Sequence, residues 1–145
     1  MQSKEDQLRR TIMELRMMEN TAETYQERAQ LLSNVRNNLR MAKKSLNDLK
    51  DVESETPILV PVGGDTFVNA QLGDIEKVIV NVGADVSVEM ELENAISDID
   101  ERLKEIEEGY EAVQTQLSQI LYQMQAHEER ANRLSAELRG EPLSV

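Results

Sequence analysis

Residues 56–90 read TPILVPVGGDTFVNAQLGDIEKVIVNVGADVSVEM. Ile58, Val60 and Val62 alternate with Leu59 and Pro61. After Gly63-Gly64-Asp65, the residues Thr66, Val68, Ala70 and Leu72 alternate with Phe67, Asn69 and Gln71. Past Gly73-Asp74 come Val78, Val80 and Val82, then Gly83-Ala84-Asp85, then Val86, Val88 and Met90. Alternation at period two, bounded by Gly and Asp turn signals, predicts four short strands in two β-hairpins. Thr56-Pro57 places an extended residue before the proline and closes the helix that precedes it.

Downstream of the strands the periodicity changes. Leu92, Ile96, Ile99, Leu103, Ile106, Tyr110, Val113, Leu117, Ile120, Met124, His127, Ala131, Leu134 and Leu138 follow by alternating steps of four and three. A stripe this narrow is a coiled-coil seam, not the wider face of a helix lying on a globular core. Upstream, Leu15, Met18, Ala22, Tyr25, Ala29 and Leu32 step in the same way. Val35 then follows after only three residues, before Leu39, Ala42, Leu46 and Leu49 resume the alternation. The extra step is expected to be a stammer that overwinds the supercoil. At ~1.5 Å per residue each helix is about 70 Å long. Two seams of matched length are most simply paired as an antiparallel hairpin, although periodicity alone equally allows pairing with helices of other chains.

The expectation is therefore a mainly α chain with a small β part. One domain covers 1–145, with a coiled-coil helix over 4–52, two hairpins over 57–90 and a second coiled-coil helix over 91–139. Narrow seams cannot also roof a sheet, and isolated hairpins are marginal in water. The strands are thus expected to complete an intersubunit sheet or barrel. Its assembly residues are Ile58, Val60, Val62, Phe67, Val68, Leu72, Val78, Val80, Val82, Val86 and Val88. Burying about a dozen such side chains at ~1.5–3 kcal/mol each would drive obligate association.

Composition narrows the function. The 145-residue chain carries 28 acidic and 16 basic side chains, one His and no Cys, with only 3% aromatic residues. A disulfide framework and a thiolate metal site are excluded, and a lone His builds no His-rich site. A net charge of -12 opposes duplex nucleic acid as the main partner. No apolar run approaches membrane-spanning length, and Met1-Gln2-Ser3-Lys4-Glu5-Asp6 has no apolar leader region, so a soluble cytoplasmic protein is expected.

Candidate chemistry reduces to structure. His127 falls on a seam position and reads as a polar residue tolerated in a coiled coil. Gly63-Gly64 lacks the Gly-Lys-Ser/Thr ending and the following helix of a phosphate loop, so it reads as a hairpin turn. The acidic run Asp98, Asp100, Glu101, Glu105, Glu107, Glu108 and Glu111 keeps its heptad throughout, whereas a calcium loop needs a break and a glycine. No nucleophile has a base beside it, and no enzyme is read.

Ile58-Leu59-Val60-Pro61-Val62-Gly63-Gly64-Asp65-Thr66-Phe67-Val68 resembles the L-V-P-V-G-x-x-x-F-V stretch of prefoldin, and Val80-Asn81-Val82-Gly83-Ala84 resembles its second glycine turn. Two hairpins between matched coiled-coil arms are similar to the archaeal α-type subunits of that family. Asp65 stands where the family often has glycine. The resemblance implies a hetero-hexamer of two such chains with four smaller β-type subunits, joined through β-barrels. It also implies ATP-independent capture of unfolded polypeptide at the distal arm ends, transfer to a group II chaperonin, and no cofactor.

An antiparallel hairpin would bring the ends of the two helices together. There Leu8, Ile12, Met13, Leu15, Met17 and Met18 face Leu134, Leu138, Leu143 and Val145. Ile12, Met13 and Met17 cannot all enter one seam, so an exposed patch suited to varied partners is expected. The competing expectation is a structural spacer or tether whose β-segment only sets oligomeric state.

Overall fold

The computed structural model describes residues 3–140. Its order is α1 (Lys4–Leu49), β1 (Pro57–Gly63), β2 (Thr66–Gln71), β3 (Lys77–Gly83), β4 (Val86–Glu91) and α2 (Leu92–Arg139). The two long helices pack antiparallel with the two hairpins between them in the chain. Two compact units divide the molecule, one of Met1–Asn34 with Glu108–Val145 and one of Val35–Glu107.

Both helices are begun or ended by local chemistry. Ser3 Oγ accepts a hydrogen bond from the Asp6 backbone N–H at 3.2 Å, and Glu5 and Asp6 occupy the first turn of α1, where the helix dipole favours negative charge. At the end of α2, Gly140 adopts φ 68° and its N–H donates to the Glu137 carbonyl at 3.2 Å. Helix α1 stops at Leu49, before the proline: Val52 N–H donates to the Leu49 carbonyl at 3.0 Å in a tightened turn. Pro57 instead opens β1.

In the unit of Met1–Asn34 and Glu108–Val145, antiparallel register is visible in cross-helix pairs. Lys4 meets Glu137 at 3.4 Å and Glu14 meets His127 at 3.0 Å, ten residues up one helix and ten down the other. Ala22, Ala29, Val113 and Leu134 are buried between the helices. Small residues at Ala22 and Ala29, seven apart, allow close approach of the backbones. Thr11 is also buried, and its hydroxyl is satisfied by donating to the Gln7 carbonyl at 2.8 Å.

Within Val35–Glu107, Lys43 pairs with Asp100 at 2.6 Å, and Lys50, just past the end of α1, pairs with Glu93 of α2 at 2.5 Å, seven residues away along each segment. Leu92, Ala95, Ile99 and Leu103 form the buried stripe of α2 here. The α1 side corrects one expectation. Val35 is 43% exposed and lies off the seam, whereas Arg36 beside it is half-buried. A step of four from Leu32 reaches Arg36 in phase with Leu39. The extra three-residue step therefore falls after Leu39, not at Leu32–Val35. Favouring the apolar residue overlooked that an arginine stem can line a seam while its head reaches the rim.

The hairpins are two separate two-stranded antiparallel sheets. In β1–β2, Ile58 opposes Ala70 and Val60 opposes Val68 on one face, while Leu59 opposes Asn69 and Pro61 opposes Phe67 on the other. In β3–β4, Val78 opposes Met90 and Val80 opposes Val88, while Lys77 opposes Glu91 and Ile79 opposes Glu89. Each carries a bulge one residue before its turn, between Pro61 and Gly63 and between Asn81 and Gly83. The second hairpin repeats the first at an offset of twenty residues, bulge included.

Candidate interaction surfaces

The candidate assembly surface begins with the turns. Gly63 and Gly83 sit at φ 106° and 108°, and the two residues after each also have positive φ: Gly64 (54°) and Asp65 (56°), Ala84 (49°) and Asp85 (60°). Two successive left-handed residues match the right-handed twist of the flanking strands and close a two-residue hairpin tightly. The Gly63-Gly64 pair is thus a turn. Asn81 Oδ1 also accepts from the Gly83 N–H at 2.8 Å, pinning the second bulge.

These turns hold the strand side chains in fixed alternation, and most of them face solvent. Val60, Val62, Phe67, Val68, Val82 and Val86 are exposed, whereas Ile58, Leu72, Val78, Val80 and Val88 are half-buried. Phe67 lies on the face opposite Val60 and Val68, beside Pro61. The sequence reading took the valine face of each hairpin and, from the second faces, Phe67 alone, and so passed over Leu59 (64% exposed) and Ile79 (80%). Their size and exposure were readable; that an outward face would also be apolar was not assumed.

The second surface lies in the unit of Met1–Asn34 and Glu108–Val145. Leu8, Leu15 and Met18 are half-buried and Leu134 is buried, so these four serve the seam. Ile12, Met13 (65% exposed), Met17 (64%) and Leu138 face outward. Met13 and Met17 are one helical turn apart and present adjoining thioether side chains. Leu143 and Val145 lie outside the described residues. His127 is held on both sides, by the Gln123 carbonyl and by Glu14 at 3.0 Å each. Sequence reasoning placed His127 on the seam but could not supply Glu14, because that pairing depends on the register between helices.

Three residues of the acidic run are in ion pairs. Asp98 pairs with Arg102 at 3.0 Å, Asp100 with Lys43, and Glu107 with Arg40 at 3.0 Å. Among the described residues no group of three His, Cys, Asp or Glu side chains is placed to hold a metal ion. No helix among them is long and apolar enough to cross a membrane.

Comparison with known proteins agrees with this architecture. The family model described as prefoldin subunit matches residues 18–137. A prefoldin subunit alpha from Thermococcus onnurineus is 35% identical over 106 residues, covering 72% of each chain. The prefoldin subunit alpha of Archaeoglobus fulgidus is 29% identical over 85% of this chain and 90% of its own. In fold, the chain is similar to a chain of filamentous prefoldin from Methanocaldococcus jannaschii, seen by cryo-electron microscopy. That match has a TM-score of 0.66 and 23% identity, and covers 77% of this chain and 92% of that one. Paired coiled-coil helices, two bulged hairpins with left-handed turns and these relatives agree: the chain belongs to the prefoldin family and is of the type of its archaeal α subunits.

Proposed function

We propose that this chain is the α-type subunit of a prefoldin hetero-hexamer, two copies joining four β-type subunits, that captures non-native polypeptides without ATP, prevents their aggregation and passes them to a group II chaperonin. Membership of a non-enzymatic chaperone family supports the general role. The observation that carries the capture step is the outward pair Met13 and Met17, with Ile12 beside them, on a helix whose seam is already filled by Leu15 and Met18. Large flexible apolar side chains left in water have no use within the helix pair, and methionine adapts to varied contours.

Capture is multivalent. One tip buries a few hundred Å² of client, below what a stable complex needs. Several tips on one unfolded chain raise its effective concentration, and avidity gains of ~10²–10⁴ follow without new contacts. Release requires only a competing binder. The hairpins hold the subunits together by pairing and burial of Val60, Val68, Val80 and Val88 and their neighbours in intersubunit barrels. An excess of acidic side chains keeps the arms apart in solution. A cytoplasmic site of action follows from this role.

The test replaces Ile12, Met13 and Met17 by Gln in the assembled complex and measures aggregation of a chemically denatured test protein, with and without nucleotide. Loss of protection with assembly intact is expected, with no effect of nucleotide. Deleting residues 1–13 and 135–145 has the same expected outcome. Undiminished protection in both would remove the tips as the capture site and favour the spacer or tether.

A further inference from the structure

We infer that His127 is a pH-sensitive clasp between the two helices of its unit, closed while both ring nitrogens carry protons and loosened when one is lost. Nδ1 lies 3.0 Å from the backbone carbonyl oxygen of Gln123, and Nε2 lies 3.0 Å from Glu14 Oε2. A backbone carbonyl only accepts, and an ionised carboxylate only accepts. Both ring nitrogens must then donate, and only imidazolium has two N–H groups. A neutral ring keeps one N–H and leaves a lone pair facing either the Gln123 carbonyl or Glu14.

Glu14 is set up to be that anion. Arg10 Nε donates to its other oxygen at 2.9 Å; this bond first, and that from His127 second, lower its pKa from the usual glutamate value. Glu14 also borders a polar recess of about 260 Å³ lined by Gln7, Arg10 and Thr11 of α1 and Arg130 of α2. Glu14 is the one anion among these five side chains and Arg10 and Arg130 are the cations, of which Arg10 keeps it ionised beside the ring.

The sign follows from these contacts. The Glu14 contribution is present above the usual glutamate range and is lost as pH falls through its lowered folded value. The His127 contribution is present while both ring nitrogens carry protons and is lost with either of them. Loosening releases Leu15 and Met18, which share the seam near Glu14, and so enlarges the apolar surface that already includes Met13 and Met17. This last consequence for capture rests on the tip reading above; the clasp itself does not.

The chain has one histidine, which makes the test clean. Amide hydrogen exchange of the full-length chain, corrected for intrinsic rates, is compared at pH 6 and pH 8 for residues 8–18 and 124–134. Residues 39–49 and 92–103 serve as the reference. Protection of the first set is expected to fall about two- to fivefold at the higher pH, the size of a partly exposed charged pair. The reference stays flat, as does His127→Leu, which fills the seam without titrating. In Glu14→Gln the change shrinks. Nitrogen-15 spectra of the ring should show both nitrogens protonated wherever protection is high and one of them bare where it has fallen. A flat wild-type profile, or an equal fall in His127→Leu, overturns the clasp. If protection falls but retention of a denatured client does not change over the same interval, the clasp stands and its consequence for capture fails. Loss of protection of clients in the Ile12, Met13 and Met17 variant tests the tip reading by itself.

Discussion

The two hairpins share a backbone and differ in what they show the solvent. Both place a bulge before a turn of two left-handed residues, in registers displaced by twenty positions. Their first faces are alike, Ile58, Val60 and Val68 against Val78, Val80, Val88 and Met90. Their second faces are not. Leu59, Pro61 and Phe67 give β1–β2 an apolar outer surface, whereas Lys77, Glu89 and Glu91 surround Ile79 with charge on β3–β4. One backbone plan therefore serves a hairpin that needs cover on both sides and one that needs it on one. The turns differ too: Gly64 takes a left-handed conformation freely, while Ala84 takes it against its Cβ.

The largest expected effect comes from the faces the hairpins share. Val60→Asp with Val68→Asp, or Val80→Asp with Val88→Asp, puts charge at directly opposed positions of the apolar face. Either pair should weaken assembly with a β-type prefoldin subunit by more than about a hundredfold. Native mass spectrometry of the mixture checks this, and an intact complex in either case would remove that hairpin from the interface.

Next come the faces that differ. Leu59→Ser with Phe67→Ser should weaken assembly about tenfold or more, and Ile79→Ser less than about threefold, as each lost contact of buried apolar area predicts. Sedimentation titrations would measure both. Equal losses would erase the distinction between the hairpins.

Exchanging the turn residues is a smaller test. Gly64→Ala should destabilise the assembled complex by about 1 kcal/mol, and Ala84→Gly should stabilise it by about 0.5–1 kcal/mol. Denaturant unfolding resolves the two signs; a destabilising Ala84→Gly would show that the second turn is not strained. Smallest of all is the pair that ties α1 to α2 next to β4. The hydrogen bond from Lys50 to Glu93 raises the lysine pKa above its usual value. That contribution is present below the usual lysine range and fades as pH rises past it. Both groups are exposed, so Glu93→Gln should leave the unfolding midpoint at neutral pH unchanged within scatter.

Much of the fold is legible because periodicity is a local property. The unbroken steps from Leu92 to Leu134 and the alternation around Gly63 and Gly83 each report a face without knowledge of any other segment, although the pattern also continued to Leu138, which faces outward. What failed locally was choosing between neighbours: Val35 and Arg36 compete for one seam position, and only their burial in the folded chain decides for Arg36. The end of α1 at Leu49 was also missed, because Pro57 marks the start of a strand more firmly than the end of a helix. Of the interaction surfaces, the outward set Ile12, Met13 and Met17 was readable from crowding on one seam. The Glu14–His127 pair was not, since it depends on how two segments far apart in sequence are aligned. Leu59 and Ile79 were overlooked because one apolar face per strand is the default expectation for a half-buried sheet.

The central claim is that the valine-bearing hairpins stay open to water until other chains cover them. Native mass measurement at micromolar concentration tests it most directly, with this chain alone and then mixed with a β-type prefoldin subunit. The chain alone should be self-associated or heterogeneous. The mixture should collapse to one species whose hairpin amides are strongly protected from exchange. A monodisperse monomer with those amides already protected, unchanged by the added subunit, would contradict the claim.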